Sequence, residues 1–315
     1  MEELIVHPQP PYDFRVNAEY VTHFRGREGV DSFDGTVFAR PVSTAGGCTV
    51  SVTQAPEVVE SDGHRLKVSV KEGATDVATL SAIQEEIERV LGAHGDPTGF
   101  YDIARNDPSL RPLTCQYHGL HIPLAASLFE ALAWAVLGQQ ISAHAAKALR
   151  TRVIERYGAA TGTANPGMRA FPGPEALADA DLAELRALGL SKRKAEYLTD
   201  IAHGFASGKL TCEHLKEGSD EEVAERLRGL RGVGPWTAQW ILLRGLGRED
   251  AFPAGDVALQ RVLGELVRCS AFTEKEVRDF AESYRPYRGY LTVYVFAVIR
   301  SRRAATTPGG AQERA

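Results

Sequence analysis

The chain has 315 residues, of which 43% are hydrophobic and 24% are charged, a composition typical of a soluble globular protein with two domains. No apolar run approaches the roughly 20 residues that span a bilayer, and the acidic start does not resemble a secretory signal. We therefore expect a cytoplasmic protein with no membrane partner. The four cysteines stand far apart, which excludes a zinc ribbon and a clustered iron–sulfur site.

Charge is distributed unevenly along the chain, although the net charge is only −5. Residues 1–108 carry nine Lys and Arg against eighteen Asp and Glu, which gives −9. Residues 109–315 carry the other 27 basic and 23 acidic residues, which gives +4. This pattern favours two domains, of which the second would hold any polyanion, although chance sorting of surface charge gives a similar pattern.

The first part of the chain, residues 1–108, predicts a small antiparallel sheet with helices. Segments 36–40, 48–52 and 66–70 alternate in polarity and are rich in β-branched residues, as strands are. Segment 77–91 has apolar residues at helical spacing, and this predicts at least one helix that covers the sheet. The Asp-Pro pair at 107–108 fits a linker that ends this domain.

From residue 109 the pattern becomes helical, so the predicted fold class is α+β. The region 128–156 predicts a long helix with an interruption at Gly138. Further helices are predicted at 175–188, 192–206, 219–229, 236–245, 256–268, 273–282 and 286–303. The second domain therefore covers 109–303, and the tail 304–315, which contains Pro-Gly-Gly, is predicted to be disordered.

Residues 230–238 read LRGVGPWTA, a glycine turn between two predicted helices. Two glycines one residue apart let the backbone turn tightly and approach another surface closely. The helix that starts near Pro235 presents free N–H groups and the positive end of its dipole, which together can bind an anion such as phosphate. A Gly-x-Gly turn alone is weak evidence, because many helix corners contain one for packing; the longer string is more specific.

Residues 252–260 read FPAGDVALQ and place one carboxylate, Asp256, at the start of a predicted helix. Asp is a preferred N-cap residue, so a purely structural role is one interpretation. A carboxylate in that position is also a fixed anion beside the positive end of a helix, and such an anion can stabilise positive charge on a reacting group. Both interpretations can hold together.

These strings resemble the helix-hairpin-helix plus Gly/Pro-Asp superfamily of DNA glycosylases, and within it the 3-methyladenine DNA glycosylase II family. Three further strings support the resemblance: LGQQIS at 137–142, LGLSKRKA at 188–195 and YRPYRGY at 284–290. The resemblance covers about residues 14–303. It implies a small N-terminal sheet followed by a mainly helical glycosylase region, in which an active-site cleft lies between two helical lobes.

The resemblance implies that Asp256 is the catalytic residue. Cleavage of an N-glycosidic bond develops positive charge on the sugar, which a nearby carboxylate stabilises while it orients a water molecule. Relatives that also cut the DNA strand carry a Lys two residues after the second glycine, where this chain has Trp236. The chain therefore resembles a monofunctional glycosylase without AP-lyase activity, and Lys192 and Lys194 are expected to face solvent or phosphate.

The implied substrates are alkylated purines of the 3-methyladenine and 7-methylguanine type, flipped out of duplex DNA, with an abasic site as the product for base excision repair. The resemblance places Trp236, Trp240 and Phe296 in the base pocket, where aromatic rings attract these cationic bases. Trp236 and Trp240 share one helix face, and their spacing alone gives pocket and core about equal weight.

The resemblance also assigns residues that contact DNA outside the pocket. Gln140 is implied to be the wedge that fills the gap left by the flipped base, and the alternative is a helix-terminal Gln bonded to backbone. Backbone contacts with DNA are implied for Gly232, Gly234, Trp236 and Thr237. A Na+ or K+ ion is implied at the carbonyl oxygens of Arg228, Leu230 and Val233.

No cofactor is expected to be required, and the expected partner is double-stranded DNA that contains alkylated bases. We expect a monomer that works at the nucleoid. The rival hypothesis is a non-catalytic helix-hairpin-helix DNA-binding protein. Asp256 and the aromatic residues discriminate between the two hypotheses, because a protein that only binds DNA needs neither.

Overall fold

The computed structural model describes residues 2–22, 31–42, 48–55, 64–70, 76–161, 167–267 and 272–306. The N-terminal part forms one antiparallel sheet with the strand order β1-β5-β4-β3-β2. Its strands are β1 (Glu2–Val6), β2 (Ser32–Phe33), β3 (Phe38–Val42), β4 (Cys48–Gln54) and β5 (Leu66–Val70). The predicted sheet is confirmed, and β1 and β2 add two strands to the three that the sequence predicts.

The rest of the described chain is mainly helical, and this confirms the α+β prediction. The α-helices are α1 (Phe14–Thr22), α2 (Val77–Leu91), α3 (Thr98–Ala104), α4 (Arg111–Gln116), α5 (Leu128–Gly138), α6 (Ala143–Tyr157), α7 (Pro174–Ala178), α8 (Leu182–Ala187), α9 (Lys192–Ala206), α10 (Cys212–Lys216), α11 (Asp220–Arg228), α12 (Pro235–Arg244), α13 (Val257–Leu266), α14 (Glu274–Ala281) and α15 (Arg288–Thr306). None of them combines the length and apolar character that crossing a bilayer requires.

Several helix boundaries differ from the prediction for local reasons. The predicted break at Gly138 is present, because α5 ends there and α6 begins at Ala143. The single helix predicted at 175–188 is wrong, since Asp181 accepts a hydrogen bond from the Ala183 N–H and starts a new helix, α8. Helix α15 runs to Thr306, so the first residues of the predicted tail are helical, and 307–315 lie outside the described residues.

Two hydrophobic cores meet at helix α1. The smaller core joins the sheet with α1 and α2, and the larger core joins helices α3 to α15. Helix α1 contributes Phe14 and Val21 to the smaller core and Tyr20 to the larger one. Phe100 of α3 lies in the larger core although it precedes the predicted boundary at 108. The N-terminal layer is therefore packed directly against the helical region.

A buried ion cluster also joins the two parts. The Arg40 guanidinium of β3 lies 2.6 Å from Asp31, 2.7 Å from Glu86 of α2 and 3.6 Å from Glu130 of α5. Burial alone would lower the pKa of Arg40, but the three carboxylates outweigh it and raise this pKa above its ordinary value. The cluster fixes α5, which leads to the candidate site, against the sheet.

Candidate active site

The corner between α5 and α6 holds the residue implied as the wedge. Ser127 caps the start of α5, and Ser142 caps the start of α6. Between the helices, Gln140 has φ of 55° and is the only non-glycine residue in the described chain with positive φ. It is exposed, and its side chain makes no hydrogen bond within the described residues. The alternative of a side chain bonded to backbone is therefore not observed.

The predicted glycine hairpin lies between α11 and α12. Gly232 has φ of 90°, and a Cβ there would lie 2.3 Å from the Tyr197 ring of α9, so only glycine fits. Gly234 is the N-cap of α12. A Cβ added to Gly234 would meet no described atom within 4 Å. The start of α12 is therefore open to an approaching anion, next to Trp236 and the buried Thr237.

The three carbonyl oxygens implied as cation ligands belong to the same turn, at Arg228, Leu230 and Val233. The Leu230 carbonyl already accepts a hydrogen bond from the Val233 N–H at 3.0 Å, and its second lone pair can serve an ion. In the described part of the chain, no cluster of His, Cys, Asp or Glu could hold a metal ion. Neutral carbonyl oxygens are ligands that a hard cation accepts, so the chemistry of these donors is compatible with Na+ or K+, and the ion site stays a prediction.

Asp256 caps α13 and also faces the hairpin helix. Its Oδ1 accepts hydrogen bonds from the N–H groups of Ala258 and Leu259, at 2.9 and 3.0 Å. Its Oδ2 accepts a hydrogen bond from the Trp236 indole N–H at 3.1 Å. The capping interpretation is therefore correct, and the same geometry fixes the carboxylate beside an aromatic ring.

Asp256 opens onto a cavity of about 520 Å³, which we call the aromatic cavity. Ligand pockets of this size hold a group as large as a nucleobase. The cavity lies between the α5–α6 corner and helices α12, α13 and α15. Its lining includes Ala125, Trp134, Ala135, Gly138, Ile141, Arg150, Trp236, Trp240, Arg244, Asp256, Val257, Arg261, Phe296 and Arg300.

The three aromatic residues implied for the pocket lie together on one side of this cavity. The Trp236 and Trp240 rings are 5.9 Å apart, and the Trp240 and Phe296 rings are 5.3 Å apart, both edge to face. Phe296 is buried in the larger core, against which Trp240 packs. Trp240 and Phe296 therefore pack in the hydrophobic core and also line the cavity. The Trp240 indole nitrogen is buried without a hydrogen-bond partner among the described residues, which leaves a donor beside the cavity.

Sequence patterns did not predict that helix α1 reaches the aromatic cavity. Tyr20 of α1 lies between Arg244 and Arg300, whose guanidinium carbons are 5.6 and 3.3 Å from its ring centroid. The Tyr20 hydroxyl accepts a weak hydrogen bond from Arg244 at 3.4 Å, and burial lowers the pKa of Arg244. Val21 of the same helix lines the cavity. The N-terminal layer therefore closes part of the cavity.

Several other residues that line the aromatic cavity were not predicted from the sequence. Trp134 lines the cavity, and the Arg150 guanidinium lies 5.1 Å from its ring. Ile141 and Val257, which are 39% and 76% exposed, form an apolar entrance beside Gln140 and Asp256.

The prediction that Lys192 and Lys194 face solvent or phosphate is wrong for Lys194. Lys194 Nζ donates to the Leu137 carbonyl at 2.9 Å, and burial lowers its pKa. Its ammonium group therefore stabilises the last turn of α5, where free carbonyl oxygens attract positive charge. Lys192 remains exposed, with Glu196 at 3.9 Å.

Comparison with known proteins gives matches to both parts of the chain. Residues 133–286 match the model of the HhH-GPD superfamily of base excision DNA repair proteins, and residues 4–127 match the AlkA N-terminal domain. A DNA-3-methyladenine glycosylase of Bacillus subtilis (strain 168) is 32% identical over 207 residues, which is 65% of this chain and 68% of that protein. The chain belongs to the 3-methyladenine DNA glycosylase II family.

Two further family members match almost the whole chain. DNA-3-methyladenine glycosylase 2 of Escherichia coli (strain K12) is 27% identical, over 91% of this chain and 94% of its own length. The solved 3-methyladenine DNA-glycosylase of Archaeoglobus fulgidus has a TM-score of 0.76 at 28% identity, and the match covers 95% of this chain and 98% of that one. The N-terminal sheet and the helical region thus both belong to the family fold.

Proposed function

We propose that this family member is a DNA glycosylase that hydrolyses the N-glycosidic bond of alkylated purines flipped out of duplex DNA. One observation carries the proposal: Asp256 is fixed by two backbone N–H groups and the Trp236 indole at the entrance of the aromatic cavity. A protein that only binds DNA needs neither a fixed carboxylate nor a cavity of nucleobase size. The non-catalytic alternative is therefore disfavoured.

In the proposed mechanism, the base enters the aromatic cavity and the anomeric carbon of its sugar lies beside Asp256. As the bond to the base breaks, positive charge develops on the sugar ring, and the carboxylate stabilises that charge. The three hydrogen bonds on Asp256 keep the anion in place, so it does not have to reorganise during the reaction. The base leaves with the electron pair of the broken bond, and the oxygen of a water molecule bonds the anomeric carbon. Asp256 accepts the proton that this water loses, and an abasic site remains.

Trp236, Trp240 and Phe296 would bind the extruded base. Bases of the 3-methyladenine and 7-methylguanine type carry positive charge, and each ring face can contribute about 0.5–2 kcal/mol by cation–π contact. Four arginines, Arg150, Arg244, Arg261 and Arg300, also line the cavity and repel a cation, so such a base would lie against the three aromatic rings.

DNA contact would come from the hairpin and the α5–α6 corner. The backbone N–H groups near Gly232, Gly234, Trp236 and Thr237 are suited to a phosphate. A Na+ or K+ ion on the Arg228, Leu230 and Val233 carbonyls would add positive charge beside that phosphate. We expect the protein to act as a monomer in the cytoplasm, at the nucleoid, and to require no redox cofactor.

Base-release profiling on methylated DNA tests the proposal. We expect free 3-methyladenine and 7-methylguanine to be released at neutral pH, while the DNA strands stay intact until they are treated with alkali. If chromatography detects neither base above the spontaneous rate, the proposed function is wrong.

Gln140→Ala should lower the affinity for a duplex with an abasic analogue by about tenfold, because the shorter side chain cannot fill the gap in the stack. Fluorescence anisotropy measures this affinity, with an undamaged duplex as reference. The midpoint of thermal unfolding should not fall, because the Gln140 side chain is exposed and alanine, which also has a Cβ, keeps the same backbone strain at φ of 55°. Unchanged affinity for the abasic analogue would remove Gln140 from the wedge role.

Borohydride should trap no covalent complex with damaged DNA. A strand-cutting glycosylase forms a Schiff base between a lysine amine and the sugar, and Trp236 stands at the position of that lysine. Lys194, the nearby lysine with a lowered pKa, bonds the Leu137 carbonyl instead. Denaturing gel electrophoresis detects the adduct, and a trapped band would assign lyase activity to this chain.

A further inference from the structure

Gln139, which precedes the wedge residue, is hydrogen-bonded to the hairpin. Its amide nitrogen Nε2 lies 2.8 Å from the Gly232 carbonyl oxygen and 3.2 Å from the Thr237 hydroxyl. A carbonyl oxygen can only accept, so the amide group must point its two N–H bonds this way. The α5–α6 corner and the hairpin are therefore joined directly, through a half-buried side chain.

The same corner keeps Gln140 in an unfavourable backbone conformation. A φ of 55° is uncommon for a residue with a Cβ, and it persists only where surrounding contacts fix it. On one side, Lys194 Nζ bonds the Leu137 carbonyl, and Gln139 bonds the hairpin. On the other side, Ser142 caps α6 by accepting from the Ala145 N–H at 3.2 Å. These contacts present the Gln140 side chain to solvent.

Two hydrogen bonds and the peptide bond between Trp236 and Thr237 connect this corner to the carboxylate. Thr237, which accepts from Gln139, directly follows Trp236 in α12, and the Trp236 indole donates to Asp256 at 3.1 Å. We propose that Gln139 is a positioning residue, whose amide fixes Gln140 relative to the hairpin and to Asp256. Insertion of Gln140 into the duplex then delivers the nucleotide to the carboxylate. This inference rests on the proposed function.

Gln139→Met tests the inference, because methionine has a similar length and no donor. Single-turnover release of 7-methylguanine should slow by about tenfold or more, since small misplacement of reacting groups is costly. The fluorescence rise of 2-aminopurine next to an abasic analogue, which reports base extrusion, should slow as well. The affinity for undamaged duplex should stay within about twofold of the wild-type value, because the backbone N–H groups of the hairpin that would contact phosphate are unchanged.

Gln84→Met is the matched control. It removes a glutamine amide that donates to Glu88 at 2.8 Å on α2, in the N-terminal layer. We expect normal release and extrusion rates for this variant. Thr237→Val is a second test, because it removes only one of the two acceptors of the Gln139 amide. It should slow base release and base extrusion less than Gln139→Met does. It also tests the inference if the methionine variant does not fold.

A double-mutant cycle separates positioning from a general structural role. If Gln139 acts through Gln140, adding Gln139→Met to Gln140→Ala should slow extrusion no further than Gln140→Ala does alone. Independent slowing, in which the two effects multiply, would overturn the inference.

The same measurements distinguish the inference from the function on which it rests. A wild-type protein that releases no base overturns both. A normal rate for Gln139→Met beside a slow Gln140→Ala overturns only the positioning role and leaves the proposed function in place.

Discussion

Asp256→Asn should lower the single-turnover rate of base release by about 10²–10³-fold, the usual cost of removing one electrostatic contact from a transition state. The amide is neutral, so it cannot stabilise the positive charge that develops on the sugar. Asn is as good an N-cap as Asp, so α13 should keep its start and the protein its fold. Chromatography of bases released from methylated DNA measures the rate, and anisotropy should show DNA affinity within about threefold of wild type.

Asp181→Asn provides a matched control for this result. Asp181 also caps a helix, α8, where it accepts from the Ala183 N–H at 2.6 Å, but it is outside the lining of the aromatic cavity. Its variant should release bases at the wild-type rate. If Asp256→Asn were equally active, the carboxylate would have only a capping role, and the proposed mechanism would be wrong.

Arg40→Met should lower the free energy of unfolding by about 3–5 kcal/mol, because it leaves the carboxylates of Asp31, Glu86 and Glu130 buried without their shared cation. Methionine fills a similar volume, so the loss would come mainly from charge rather than from a cavity. Chemical denaturation followed by circular dichroism measures this change.

A surface arginine supplies the comparison for this variant. Arg15 pairs with Glu19 one turn along α1, and both side chains are more than half exposed. Arg15→Met should leave the unfolding midpoint unchanged, because solvent screens such pairs. A loss below about 1 kcal/mol for Arg40→Met would mean that the cluster does not hold the two parts of the chain together.

Local patterns in the sequence were sufficient for much of the fold. Strand β5 has the predicted bounds because its alternation matches a strand with one buried face. Helix α1 was missed because it buries Asn17, whose amide donates to the Gly119 carbonyl 102 residues away. Because a polar residue stands at this buried position, the apolar residues of α1 do not show the regular helical spacing from which a helix is predicted. Strand β1 gave no signal because it is an edge strand that starts with two acidic residues.

The candidate site was predictable where its residues stand in contiguous strings, and where the family resemblance assigns a residue outside them, as it does Phe296. The hairpin glycines, Asp256 and the two tryptophans of α12 all stand within 230–256, and the structure brings them together. Gln139 could have been suspected from its place beside Gln140, but its hydrogen bonds to Gly232 and Thr237 depend on tertiary packing. Arg244 and Tyr20 are 224 residues apart, so no local pattern could reveal their contact.

The position of α1 has a consequence for how this enzyme family could diversify. Because Val21 of α1 lines the aromatic cavity, substitutions in this helix can reshape part of the cavity while Asp256 and the hairpin, which lie more than 200 residues further along the chain, keep their sequence. Part of the selectivity would then be encoded in a stretch of the polypeptide distant from Asp256, where mutation can alter it while the carboxylate is kept.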